Sequence, residues 1–267
     1  MKLNRIMIAA PKSGSGKTTI TCGLLQAFKD AGKNVISYKC GPDYIDPMFH
    51  QKVIDVPAKN LDTFFTDEET TRKLFLKNRK EDELVILEGV MGLFDGLGGI
   101  REEGSSYHLA KVTRTPIILV IDAKGMGRSV ISLIAGFLSY DKAQLIKGVI
   151  LNRMSKSYYE TIKPLIEQEL SITVLGYFPD CKAFHVGSRH LGLLMPDELA
   201  DIREQLHKSS EELQKTVSLE AVIQMAENAE ELETCLVITD EKTFATDEEN
   251  RPVIAVAKDE AFCFYYE

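Results

Sequence analysis

Short apolar runs recur along the chain with polar, helix-length segments between them: Ile6 to Ala10, Val35 to Tyr38, Leu84 to Leu87, Ile117 to Ile121, Gly148 to Leu151 and Thr173 to Tyr177. Strands alternating with helices predict a parallel sheet. The runs show little alternation of apolar and polar residues, as expected of strands covered by helices on both faces. The fold class is therefore α/β, a doubly wound and mostly parallel sheet. Between the runs, Lys17 to Ala31 places Ile20, Leu24, Leu25 and Phe28 near helical spacing with Gly32 as a stop, and Ser129 to Tyr140 and Ser157 to Leu170 read similarly. After Pro196 the composition changes, and Asp197 to Lys215 and Leu219 to Ala229 read as terminal or sheet-covering helices. From Glu227 to Glu249 nine acids face a single base, Lys242, which predicts a solvated linker. Pro252 to Ala257 is a fresh buried-strand signal, followed by the apolar Ala261 to Tyr266. The expected organisation is a main domain over residues 1–226, an acidic linker over 227–250, and the start of a further domain over 251–267.

Composition narrows the class without naming a function. The 267 residues are 44% hydrophobic and 27% charged, enough for a sizeable core, which excludes a disordered or fibrous chain. With 40 acidic against 32 basic residues the net charge is -8, which argues against nucleic-acid binding through a basic surface. The apolar start MKLNRIMIAAP leads into glycine-rich loop chemistry rather than a cleavage site, and no stretch approaches the roughly twenty apolar residues of a membrane span. Five scattered cysteines without a paired spacing point to a reducing cytoplasm.

The strongest chemical signal is APKSGSGKTT, residues 10–19, between the first strand and the first helix. In such a loop successive backbone N–H groups wrap phosphates, Lys17 neutralises the β and γ oxygens, and Thr18 offers a hydroxyl to Mg²⁺. Ser13, Gly14, Ser15, Gly16 and Thr19 complete the cradle, although Pro11 stands where the usual pattern has its first glycine. Lys12 matches the additional lysine of deviant loops in partitioning ATPases, or is a solvated loop lysine. After the second strand, KCGPDYIDP (39–47) holds Asp43 and Asp46 in a Pro-rich turn, available to metal or substrate or serving as caps. The third strand leads into LEGVMGLFDG (87–96), where Glu88 stands in the position of a metal or water ligand and Asp95 adds a second acid on a glycine-lined loop. Asp122 and Ser129 read as helix caps, Lys124 and Arg128 as anion contacts, and His185 and His190 as poor metal partners. Every one of these segments follows a strand, so the loops should share one rim at the carboxyl ends of the sheet, which favours Mg²⁺-dependent phosphoryl transfer.

APKSGSGKTT, KCGPDYIDP, LEGVMGLFDG, VIDAKG, GVILNR, GYFPD and PVIAVAKDEAFCFYY, in that order and spacing, resemble the amino-terminal domain of the cobyrinate a,c-diamide synthase family. The fold that this implies is a P-loop NTPase similar to dethiobiotin synthetase and the partitioning ATPases. The resemblance implies an ATP-dependent amidoligase that phosphorylates two acetate carboxylates of a corrin ring and lets ammonia displace the phosphate, with ATP and Mg²⁺ as cofactors. Lys17, Asp43, Glu88 and Asp95 would then be catalytic, with Thr18, Asp43 and Glu88 holding the metal. Tyr44, Asp46 and Asp95 would line the corrinoid side, and Asn152 resembles the residue that reads the adenine edge. A polycarboxylate substrate needs cations, for which Lys39, Lys124, Arg128 and Arg189 are the candidates. Family members continue into a glutaminase domain that supplies ammonia. This chain reaches only what resembles that domain's first strand, so a fragment of a longer chain is expected, with Cys263 a strand cysteine rather than the nucleophile. The same motifs would serve a nickel-sirohydrochlorin a,c-diamide synthase, and a dimeric nucleotide switch built around Lys12, or a bare nucleotide-binding module, is the rival class. The expected partners are a tetrapyrrole polycarboxylate, a glutaminase domain and a second copy of the chain, with neither nucleic acid nor membrane among them.

Overall fold

The computed structural model describes residues 2–77, 79–80, 82–180, 196–232, 253–259, 262 and 265. Seven strands, β1 (Asn4–Ala9), β2 (Val35–Cys40), β3 (Ala58–Leu61), β4 (Leu84–Glu88), β5 (Ile117–Asp122), β6 (Ile146–Asn152) and β7 (Thr173–Phe178), form one sheet in the order β3-β2-β4-β1-β5-β6-β7. All six pairings are parallel. The apolar runs are continuous because each face of the sheet has its own helical cover. One face packs α1 (Lys17–Asp30), the short α2 (Ile45–Phe49), α7 (Pro196–Thr216) and α8 (Leu219–Glu227) around Ile6, Ile8, Ile86 and Val120. The opposite face packs α3 (Glu68–Leu76), α4 (Ser106–Val112), α5 (Ser129–Tyr140) and α6 (Lys156–Leu170) around Met7, Leu87, Leu119 and Leu151. The doubly wound sheet expected from the pattern is the fold observed.

Four elements escaped the apolar pattern, each for a physical reason. β3 is an edge strand of sequence AKNL in which only the two end residues are buried, with Lys59 exposed and Asn60 half-buried between them, so it carries no apolar run. In α3 only Thr71 and Phe75 are buried, and the helix is fixed by its cap, where Asp67 Oδ1 accepts from the Thr70 N–H at 2.7 Å. The cap of α4 is Ser105, accepting from the His108 N–H at 3.0 Å. The Pro-rich turn after β2 winds into α2, continued by a π turn over His50–Ile54.

The start of the predicted linker is docked rather than solvated. Ala229 and Leu232 are buried, and the Glu230 carbonyl accepts from the Arg5 guanidinium at 2.5 Å. Arg5 is itself fully buried and donates to the carbonyls of Leu3, Thr113 and Arg114, tying the amino-terminal ends of the strands together. Burial lowers its pKa to about 10. The strand signal at Pro252 does not become a strand in its described part: residues 253–258 have no regular structure, and Val253 is 95% exposed. No ladder partner stands beside them among the described residues, and apolar composition alone makes no strand. Cys263 and the histidines His185 and His190 lie outside the described residues.

Candidate phosphoryl-transfer site

The loop between β1 and α1 turns on Gly14 (φ 76°) and Gly16 (φ 98°), left-handed conformations that favour glycine. Gly16 carries a second constraint, because a Cβ there would stand 2.1 Å from Asn152 Nδ2. Asn152, at the end of β6, donates to the Ser15 carbonyl at 2.8 Å and so braces the loop from below. The β4–α4 loop leans on it from the side: Gly92 has no room for a side chain, with Pro11's carbonyl 2.5 Å from where a Cβ would sit. Asp95 secures that second loop by accepting from the Gly92 N–H at 3.0 Å.

The first turn of α1 carries the chemistry. Lys17 is buried and folds back onto backbone, donating to the carbonyls of Met91 at 2.5 Å and Lys12 at 3.3 Å. Its pKa is lowered to about 8, by burial first and then by the positive charge of Lys39, against the opposing pull of Glu88, Asp95 and Asp46. Thr18 donates to Glu88 Oε1 at 2.7 Å. Lys39, only 4% exposed, points into the same space and contacts Asp46 Oδ2 at 2.6 Å, Glu88 Oε1 at 3.0 Å and Asp43 Oδ2 at 3.9 Å. Burial opposes its charge, but Glu88, Asp46 and Asp43 more than offset that, so its pKa is raised. Glu88 is fully buried, and burial reinforced by Asp46 raises its pKa against the attraction of Lys39 and the Thr18 hydrogen bond.

A cavity of about 350 Å³ opens over this group, lined by Ser13, Gly14, Gly16, Lys17, Thr18 and Thr19 from the loop and by Lys39, Asp43 and Asp46 from the β2 side. Asn152, Arg153, Phe178 and Pro179 close its other end, beyond β6 and β7. Ser15 faces inward instead, and Lys12 is exposed at the loop's edge. The donor set fits Mg²⁺, a hard cation that takes one or two carboxylates, a hydroxyl and phosphate oxygens. Thr18 and Glu88 already stand within 2.7 Å of each other, and Asp43 lines the same cavity.

The remaining expected residues divide. Asp43 uses Oδ1 to hold the turn into α2, accepting from the N–H groups of Ile45 at 2.9 Å and Asp46 at 3.2 Å. Tyr44 faces a second cavity of about 1340 Å³, on the β2–β3 side, shared with Asn60, Asp62 and Phe65. Lys124 and Arg128, expected as substrate cations, do not line this cavity and are ion-paired at the surface, with Asp180 at 2.7 Å and Glu169 at 2.7 Å. Lys39, expected beside them, is instead the buried partner of three acids. Asp122 bonds the Arg153 guanidinium, with Nε at 2.8 Å, and also accepts from the Lys124 N–H at 3.3 Å. Ser129 is the first residue of α5, not its cap. Arg189 lies outside the described residues.

Three contributors were missed from sequence. Asn60 donates to the carbonyls of Gly41 at 2.9 Å and Asp43 at 2.7 Å, fixing the β2–α2 turn. Ser37 and His50 form a buried pair, Oγ to Nδ1 at 2.9 Å, with His50 Nε2 lying 3.5 Å from Glu88 Oε2. The available signal was the polar pair Ser37 and Lys39 at alternate positions of VISYKC, a stripe of one strand face interrupting an apolar run.

A glycine-turned loop at the carboxyl end of a central parallel strand, with a lysine and a threonine opening the next helix and an acid closing a neighbouring strand, defines a P-loop nucleotide-binding domain. The chain belongs to the CobQ/CobB/MinD/ParA nucleotide binding domain family, whose model matches residues 6–193. It is 38% identical over 267 residues to the cobyrinate a,c-diamide synthase of Listeria innocua, covering 99% of this chain and 58% of that protein. The synthase of the same name from Clostridium tetani is 38% identical over 264 residues, covering 99% of this chain and 57% of its own length. The chain thus spans less than two thirds of these relatives. The crystal structure of the signal recognition particle receptor FtsY from Elizabethkingia anophelis aligns with a TM-score of 0.50 at 15% identity, over 77% of this chain and 65% of that one, a likeness of fold alone. Among the described residues no helix is long and apolar enough to cross a membrane.

Proposed function

We propose that this chain is the ATP-binding amidoligase part of a cytoplasmic cobyrinate a,c-diamide synthase. The observation that carries the reading is the group of buried Lys39, Asp46 and Glu88 with the half-buried Thr18, set directly against a phosphate loop. A carboxylate is a poor acyl donor because its leaving group would be oxide. Transfer of the γ-phosphoryl group to an acetate carboxylate gives an acyl phosphate and ADP. Ammonia then attacks the acyl carbon, inorganic phosphate leaves, and the nitrogen gives up a proton to yield the amide.

The chain's residues divide this work by position. Lys17 exchanges its carbonyl partners, Met91 and Lys12, for phosphate oxygens, and the loop N–H groups hold the rest of the polyphosphate. Thr18, Glu88 and Asp43 would hold Mg²⁺, which would supply charge neutralisation at the transferring group. Asn152, Arg153, Phe178 and Pro179 mark the base end of the cavity, so the terminal phosphate lies toward Asp43 and Lys39. The acceptor carboxylate then arrives from the β2–β3 side, where Tyr44 faces the larger cavity. Asp95 serves this reaction by holding the β4–α4 loop against the phosphate loop. Ammonia would come from a glutaminase domain.

The test is ATP hydrolysis by this chain with Mg²⁺ and ammonium, with and without cobyrinic acid, followed by product mass. Stoichiometric ADP with a loss of about one mass unit per amidation is the expected result. Amidation of nickel-sirohydrochlorin but not of cobyrinic acid would move the assignment to that tetrapyrrole, and hydrolysis indifferent to any tetrapyrrole acid would leave a nucleotide switch or a bare binding module.

A further inference from the structure

Glu88 closes β4 with its two oxygens in different company. Oε1 accepts from Thr18 at 2.7 Å and from Lys39 at 3.0 Å. Among the described residues Oε2 is buried without a hydrogen-bond partner, and so is His50 Nε2, which lies 3.5 Å away. Two such buried polar atoms, facing each other, are placed to satisfy one another. A shift of about half an ångström brings them within ordinary hydrogen-bond distance.

The partners of the imidazole decide which atom carries the hydrogen. A carboxylate only accepts, so a bare Nε2 lone pair would face a second lone pair, whereas an Nε2–H donates. Nδ1 must then accept, and the Ser37 hydroxyl stands 2.9 Å from it. Ser37 lies two residues before Lys39 on β2 and pairs with Ile86, two residues before Glu88, so the parallel register stacks both polar pairs on one sheet face. His50 reaches them from the π turn that follows α2, whose backbone is pinned by the Val56 N–H donating to the His50 carbonyl at 3.0 Å. Single π turns within helices recur at functional sites, where they re-aim one side chain.

We propose that His50, its tautomer set by Ser37, is a positioning residue that holds the rear oxygen of Glu88 so that the front oxygen faces Thr18 and the cation of the phosphoryl site. The inference rests on the reading of Glu88 as a metal-site carboxylate and assigns the group behind it. A partner behind a ligating carboxylate fixes its rotamer, and losing such a partner weakens metal binding or activity by about 10- to 100-fold.

The test compares His50→Gln, which keeps a donor near the position of Nε2, with His50→Leu, which does not, and with Ser37→Ala. For each variant of the 267-residue chain the affinity for ADP is measured by calorimetry with and without Mg²⁺, beside nitrogen-15 NMR of the histidines. Expected are an Nε2–H tautomer for His50 in the unaltered chain, and a gain in ADP affinity from Mg²⁺ that drops at least about tenfold in His50→Leu and recovers in His50→Gln. An Nδ1–H tautomer, or a Mg²⁺ gain as large in His50→Leu as in the unaltered chain, would overturn the proposal. Should His50→Leu not fold, Ser37→Ala decides: a smaller Mg²⁺ gain supports the brace and an unchanged one removes it. An unaltered chain that binds ADP without any gain from Mg²⁺ refutes the metal reading of Glu88 and the brace with it, while amidation that proceeds with an unbraced Glu88 refutes the brace alone.

Discussion

Two groups of charged residues follow strands in this sheet, and they have opposite fates. Around β2 and β4, Lys39, Asp46 and Glu88 are buried together within 3.0 Å contacts. Around β5, Lys124 and Arg128 are 61% and 67% exposed, and each pairs with an acid at the surface. Both groups occupy the carboxyl edge where open α/β sheets bind ligands. What separates them is whether the charge sits at the end of a strand, as Lys39 and Glu88 do, or in the short helix packed over it, as Asp46 does, or in the exposed loop beyond. A charge inside the strand must find partners in the protein because water is excluded, and the resulting group is held at fixed distances before any ligand arrives. A charge in the loop has water as an alternative, so its ion pair contributes little.

The largest effect that sharpens this contrast comes from Lys39→Met. Removing the ammonium leaves Asp46 and Glu88 buried without their shared cation. Breaking a buried pair in this way costs about 3–5 kcal/mol of stability. Chemical denaturation at neutral pH should show that loss, together with lost ATP turnover. A Lys39→Met chain as stable as its parent would mean the acids do not depend on Lys39, and the contrast between the two regions would collapse.

Next comes the pH dependence of nucleotide binding through Lys17. Its folded pKa, about 8, lies below the ordinary lysine value of 10.5 because burial and Lys39 disfavour its charge. Between those values the unfolded chain binds the proton that the folded chain has released, so this group makes stability rise with pH there. Phosphate binding needs the charged form. At pH 9 about one tenth of Lys17 is protonated, against about nine tenths at pH 7, so ADP affinity without Mg²⁺ should fall up to about tenfold. Calorimetry in two buffers of different ionisation heat should find ADP binding accompanied by proton uptake at pH 9 and by almost none at pH 7. Uptake that persists in Lys17→Met would assign the proton to another group.

The sequence carried the sheet because its strands are covered on both faces and so read as unbroken apolar runs, from Ile6 to Thr173 onward. It missed β3 because an edge strand with Lys59 and Asn60 needs no such run. At the site, residue type and position after a strand were enough to nominate Lys17, Thr18, Asp43 and Glu88, which the structure brings to one cavity or its floor. Direction was not legible. The one clue to Lys39, whose side chain turns inward among acids, was its alternation with Ser37 in VISYKC, and residue type alone does not separate it from Lys124, whose side chain reaches Asp180. Asn60 and His50 were invisible because each acts through contacts set by tertiary packing, Asn60 on the Gly41 and Asp43 carbonyls and His50 between Ser37 and Glu88.

Asn152→Ala addresses the seam between the two regions, since Asn152 ends β6 yet bonds the phosphate loop. The change leaves the Ser15 carbonyl without its buried donor and opens space beneath Gly16. A loss of about 1–2 kcal/mol in stability is expected from a buried hydrogen bond with one partner removed. Weaker ADP binding should accompany it, because the cradle N–H groups lose their brace. Calorimetry and thermal denaturation on one preparation measure both.

The smallest effects belong to Lys124→Ala and Arg128→Ala, and their smallness is the point. Exposed ion pairs contribute about 0–1 kcal/mol, and surface substitutions away from special features stay within about 0.5 kcal/mol. Stability and ADP affinity should therefore be unchanged in either variant. Activity on a tetrapyrrole acid is the sharper measurement, because these residues were expected to meet the substrate's carboxylates and the structure instead commits them to Asp180 and Glu169. If KM for the tetrapyrrole rises severalfold in Arg128→Ala while KM for ATP stays fixed, the substrate reaches across the sheet to β5, and the loop charges are a second half of the site. If both constants hold, the acceptor is confined to the β2–β3 side near Tyr44, and burial inside a strand end is what marks the working charges of this domain.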